Sequence, residues 1–111
     1  MMYETVTDIE QLLGCLQSYQ PEADVVMVRK AYEFSAKAHE GQMRRSGEPY
    51  VKHPVAVAGV LTSLKTDVTA IVAGLLHDTL EDTVATADQL EREFGKEVVH
   101  LVDGVSKIGK I

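Results

Sequence analysis

His77, Asp78, Glu81 and Asp82 fall within one short stretch, HisAspThrLeuGluAsp, that directly follows the apolar run AlaIleValAlaGlyLeuLeu at 70–76. Carried on as a helix at about 100° per residue, the four side chains share an arc of about 140°. His77 and Glu81 are then i, i+4 neighbours, as are Asp78 and Asp82. One imidazole and three carboxylates crowd together at the end of an apolar element. Carboxylates this close destabilise one another unless something positive lies between them, and a divalent cation is the simplest such group. The acids also stand toward a helix C-terminus, the unfavourable end for negative charge. His53, in the HisProVal stretch at 53–55, is a candidate second imidazole. The plainer reading is a solvated acidic helix end beside a hydrogen-bonded core histidine. On these residues alone both stay open.

A basic turn complements the acidic stretch. Between residues 37 and 53, Lys37, Arg44, Arg45 and Lys52 outnumber Glu40 and Glu48. Between 77 and 93, Asp78, Glu81, Asp82, Asp88, Glu91 and Glu93 face only Arg92. Guanidinium groups hold phosphate oxygens and stack on bases, and Ser46 and Tyr50 offer hydrogen bonds. The alternative is a solvated turn, since Ser46, Gly47 and Pro49 are turn formers.

The elements that must position these residues have helical spacing nearly throughout. Thr7 and Glu10 have capping-box spacing, and Ile9, Leu12, Leu13, Leu16 and Tyr19 mark one apolar face before Pro21 stops the helix. Asp24 caps a second helix with Val25, Val28, Ala31, Tyr32 and Ser35 inward, His39 near its end and Gly41 as its stop. Pro54 starts a third directly after His53, running to about Leu64 with Val57, Val60, Leu61 and Leu64 inward. Thr66 or Asp67 caps a fourth, whose 70–76 run predicts burial nearly all round. Thr86 and Gln89 repeat the capping-box spacing ahead of Leu90, Phe94 and the stop Gly95. A last helix from about Lys96 carries Val98, Val99, Val102 and Val105. The expectation is an all-α bundle of five or six helices with short connections. His39 is expected to cap its helix or face solvent, His100 to be structural, and Cys15 to be a packing residue.

Composition narrows the classes. The chain has 111 residues with 45% apolar and a mean hydropathy of −0.05, which suits one soluble globular domain over 1–111. Eleven basic against 17 acidic side chains give a net charge of −6, against nucleic-acid binding, which shows a basic footprint. No run approaches the ~18 apolar residues of a membrane span, and the early acids Glu4, Asp8 and Glu10 do not suit a signal peptide. A single cysteine excludes an internal disulfide and fits the cytoplasm. No Walker-type or GxGxxG loop is present.

Three stretches together resemble the N-terminal hydrolase domain of the RelA/SpoT-type stringent-response enzymes, within the HD superfamily of metal-dependent phosphohydrolases. They are AHEGQMRRSGEPYVKHPVAVA from Ala38, GLLHDTLEDT from Gly74 and FGKEVVHLVDGVSKIGKI from Phe94, and the resemblance runs from about residue 31 to 111. The resemblance implies an HD-domain helical bundle. It implies His53, His77 and Asp78 as ligands of Mn²⁺, and Glu81 and Asp82 as the catalytic carboxylates. Arg44, Arg45, Ser46, Tyr50 and Lys52 become substrate contacts. The implied substrate is guanosine tetra- or pentaphosphate, hydrolysed at the 3′ position to GDP or GTP and pyrophosphate. An HD phosphohydrolase acting on another nucleotide, and a nucleotide-binding module without turnover, are the alternatives.

The sequence departs from that family at its end. In the family DGVSKIGKI is followed by further helices, one carrying a LADRLHNMR-like segment with a fourth ligand, an aspartate, and a substrate-contacting asparagine. These 111 residues contain no such stretch. The chain therefore reads as a fragment of a larger protein, without the later helices or a synthetase domain. It is expected to bind metal and hydrolyse substrate more weakly, and to pair as a homodimer through apolar surface left uncovered.

Overall fold

The computed structural model describes residues 8–40, 52–77, 79 and 85–109, with 52, 53 and 105–109 described by backbone alone. The described residues form six helices and no strand: α1 (Ile9–Tyr19), α2 (Val25–Ala38), α3 (Lys52–Ser63), α4 (Val68–Leu76), α5 (Ala87–Phe94) and α6 (Lys96–Gly109). The fold is all-α, as expected. Among the described residues no helix is long and apolar enough to cross a membrane.

α4 is the centre of the bundle. Ile71 to Leu76 are all buried, and α2, α3 and α6 pack around the helix that carries them. Each such leucine or isoleucine contributes roughly 1.5–3 kcal/mol by leaving water. α1 packs on α2 and α3, and α5 packs on α6. The inward residues of α1 (Ile9, Leu12, Leu13, Leu16) and of α6 (Val98, Val102) join the same core. At the other edge Lys30 pairs with the Glu93 carboxylate at 2.9 Å and lies 5.3 Å above the Phe94 ring, which Phe34 meets edge-on.

The helix boundaries follow local chemistry, with some corrections. α1 is capped by Asp8, whose carboxylate accepts the Gln11 N–H at 2.9 Å, so the cap is not Thr7. Aspartate is at least as good an N-cap as threonine, and it stands one residue nearer the apolar stripe. Asp24 and Asp67 cap α2 and α4 in the same way, and Thr86 and Gln89 form the expected capping box on α5. α2 closes on His39, two residues before Gly41, which lies outside the described residues. α3 begins at Lys52, so His53 is a helical residue and does not precede the helix.

The inward face of α3 also differs from expectation. Val55, Ala58 and Thr62 are buried, Val57 and Leu61 are half-buried, and Val60 and Leu64 are 60% and 67% exposed. At Ala58 α3 lies close against α4, its Cα 3.7 Å from where a Cβ at position 74 would stand.

The reversal between α3 and α4 carries no glycine. Lys65 takes the left-handed conformation (φ 56°), its N–H donates to the Thr62 carbonyl, and the Thr66 N–H reaches back to the Leu61 carbonyl. This paired pattern is a Schellman closure, which usually uses glycine at that position. The Tyr19 hydroxyl donates to the Thr66 carbonyl at 2.8 Å and ties the turn to α1. Burial, and then the nearby Asp67 carboxylate, push the Tyr19 phenol above its usual value.

Candidate functional site

The last four carbonyls of an α-helix have no partner within it. At the end of α4 two of them are taken by side chains three residues on. The His77 Nδ1 lies 2.7 Å from the Gly74 carbonyl oxygen, and the Thr79 hydroxyl donates to the Leu76 carbonyl at 2.8 Å. A carbonyl only accepts, so the contact is a hydrogen bond when Nδ1 carries a proton. Metal-ligating histidines are commonly held this way, through a backbone carbonyl on the other nitrogen. His77 is half-buried at the C-cap of α4, whereas Thr79 is fully buried. Sequence reasoning did not single out Thr79. Its signal was the hydroxyl three residues after Leu76, the spacing of a side chain that bonds back onto a helix end.

His53 is brought to the same end of the bundle. The short connection at 64–67 makes α3 and α4 antiparallel neighbours, and position 74 faces Ala58 and Val57. Three residues on from Gly74 is His77, and three back from Ala58 is Val55. His53, the second residue of α3, is therefore within about one helical turn of the level of His77.

Lys52 is the first residue of α3. Asp78, Glu81, Asp82, Arg44, Arg45, Ser46 and Tyr50 lie outside the described residues. Among the described residues, no three His, Cys, Asp or Glu side chains form a metal-binding group.

The remaining histidines separate. His39 is the C-cap of α2, as expected, but is only 2% exposed and does not face solvent. It continues the Val28, Ala31 and Ser35 stripe, which points at α4. His100 is exposed on α6 and makes no part of the core, because the inward stripe there is Val98 and Val102. Cys15 is half-buried and packs against the core.

Two clefts lie in different parts of the bundle. One of about 530 Å³, lined by residues including Glu22, Asp24 and Asp67, lies at the N-terminal end of α4, away from His77. Its two aspartates are engaged as helix caps. The other, of about 290 Å³, is lined by Phe34, Lys37, Ala38, Ala85 and Gln89. It lies at the start of the segment that leads into α5, three residues after Asp82.

In the sequence Asp78 follows His77 directly. The HD domain family model matches residues 31–111, and the chain belongs to that family. Within it the chain is homologous to the HD domain of the RelA/SpoT-family (p)ppGpp enzymes. It is 56% identical over 95 residues to a GTP pyrophosphokinase of Myxococcus xanthus, covering 86% of this chain and 12% of that protein. It is 50% identical over 102 residues to the bifunctional (p)ppGpp synthase/hydrolase SpoT of Escherichia coli, covering 92% and 14%. A guanosine-3′,5′-bis(diphosphate) 3′-pyrophosphohydrolase of Vibrio cholerae is 44% identical over 102 residues, covering 92% and 14%. The chain thus spans about one seventh or less of the length of these relatives.

Proposed function

We propose that this HD domain hydrolyses guanosine tetra- or pentaphosphate at the 3′ position, giving GDP or GTP and pyrophosphate, with Mn²⁺ as its metal ion. The observation that carries the reading is the His77 Nδ1 contact with the Gly74 carbonyl at the end of α4, an arrangement that suits Nε2 as the ligand nitrogen. The names of the Escherichia coli and Vibrio cholerae relatives support the substrate. His53, His77 and Asp78 would hold the ion. Imidazole and carboxylate donors are compatible with Mn²⁺, although zinc binds such a set more tightly and availability decides. When bound, the ion polarises a phosphoryl oxygen and lowers the pKa of a water.

Glu81 and Asp82 orient the attacking water and accept its proton. The water oxygen bonds to the phosphorus attached to the ribose O3′, that P–O3′ bond breaks, and O3′ departs with a proton. Arg44, Arg45 and Lys52 neutralise the phosphates, with Ser46 and Tyr50 adding hydrogen bonds. A reaction on a free nucleotide, and the free thiol of Cys15, both suit the cytoplasm.

The test is pyrophosphate release from guanosine tetraphosphate by the 111-residue chain, with and without Mn²⁺, beside His77→Ala. Mn²⁺-dependent release that disappears in the variant is the expected result. Release from other nucleotides but not this one would move the activity to a different phosphohydrolase. Nucleotide binding without any release would make the chain a binding module.

A further inference from the structure

Thr62 and Thr79 make the same local bond in two places. Each donates its hydroxyl to the carbonyl three residues back, Thr62 to Gly59 at 2.6 Å and Thr79 to Leu76 at 2.8 Å. Both side chains are buried, Thr79 completely. A hydroxyl leaves water without a large penalty only where it is bonded, so each bond is a fixed part of the interior. What differs is the chain around them. Thr62 lies in the last turn of α3, beside the connection into the start of α4, and no candidate site residue is near it in sequence. Ten residues, or about 15 Å of helix, separate Asp67 at that end from His77 at the other. Thr79 lies just past His77, with Asp78 directly before it and Glu81 two residues after. Two residues of chain span at most about 7 Å, so the point at which Thr79 is held limits where Asp78 and Glu81 begin. The anchor is firm, because Leu76 is itself fully buried in the helix around which α2, α3 and α6 pack.

We propose that Thr79 is a positioning residue for the carboxylates on either side of it. Its hydroxyl ties the chain between Asp78 and Glu81 to the buried end of α4, so that both depart from a set point on the core. The proposal rests on the reading of His77 and Asp78 as metal ligands and of Glu81 as a catalytic group. Thr79 acts through these neighbours, since a fully buried side chain does not meet substrate.

The experiment compares the wild-type chain with Thr79→Val, Thr62→Val and His77→Ala. Valine keeps the shape of threonine and removes the hydroxyl, so the first two variants lose the same kind of bond at opposite ends of α4. Mn²⁺ affinity by titration, pyrophosphate release from guanosine tetraphosphate and the urea unfolding midpoint are read for each. Both valine variants should unfold at lower urea than the wild type. Thr79→Val alone should weaken Mn²⁺ binding by roughly 10–100-fold, the usual cost of losing a ligand's support, and should lower kcat for release in the same range with KM little changed. Thr62→Val should hold the affinity within about twofold, well below that range. If Thr79→Val does not fold, Thr79→Ser and Thr79→Ala, which differ by the hydroxyl alone, are compared instead, and the serine variant should bind Mn²⁺ the more tightly by the same factor. Wild-type affinity in folded Thr79→Val, or equal affinity of the serine and alanine variants, would overturn the proposal. So would a matching loss in Thr62→Val, which would trace the effect to stability. Normal Mn²⁺ binding by His77→Ala would instead overturn the ligand reading, and this proposal with it.

Discussion

α4 is closed by different means at its two ends. At the N-terminal end the Asp67 carboxylate takes the Ala70 N–H, and Tyr19 binds the preceding turn through the Thr66 carbonyl. At the C-terminal end His77 and Thr79 take the carbonyls of Gly74 and Leu76. Both arrangements satisfy backbone groups that the helix cannot satisfy itself. Only at the second is the group that bonds the helix end a titratable imidazole. One end stabilises, and the other engages the histidine proposed here as a ligand.

The largest expected effects separate the two ends by activity. Glu81→Gln should lower pyrophosphate release by about 10²–10⁴-fold, the range for a lost acid–base group, with Mn²⁺ affinity retained. His77→Ala should lose both. Tyr19→Phe, at the opposite end, should leave turnover per folded molecule unchanged, and a large loss there would break the comparison.

Leu76→Ala probes the core that joins the ends. Its side chain is fully buried, so urea unfolding should show a loss of about 2–5 kcal/mol. Lys65→Gly relieves a left-handed residue at the turn before α4 and should raise stability by about 1 kcal/mol in the same assay.

Tyr19→Phe should cost about 0.5–1.5 kcal/mol near neutral pH through the lost bond to Thr66. Because the folded phenol titrates above the unfolded value of 10.0, its contribution is complete below that pH. Stability is then lost as pH rises through the folded value, since the unfolded chain ionises first. Unfolding curves taken between pH 9 and about 11.5 should fall more steeply for the wild type than for Tyr19→Phe. The smallest effect belongs to Leu64→Lys, whose exposed site predicts a change within about 0.5 kcal/mol.

Much of this could be read from residue types. Aspartate or threonine before an apolar stripe marked the starts of α2, α4 and α5, and the unbroken apolar run at 70–76 marked the central helix. The α3–α4 turn was less legible, because its left-handed position is Lys65 and no glycine announces it. The face of α3 was misjudged for a related reason. Counting large apolar residues favoured Val60 and Leu64, but the face that packs inward carries Val55, Ala58 and Thr62. His39 caps α2 as expected but is buried, and His100 is exposed, since a polar residue's burial depends on the helix packed opposite.

The order of types along the chain was enough to determine an all-α architecture and its capped helix starts, and it carries the proposal that chemistry concentrates at 77–82. Those features depend on neighbours within a few residues, and local hydrogen bonds and helical periodicity decide them. Tertiary structure decided that α3 lies against α4 at Ala58 and Gly74, and that His53 comes near the level of His77. Those depend on what fills the space between two helices, which no spacing along a single helix contains.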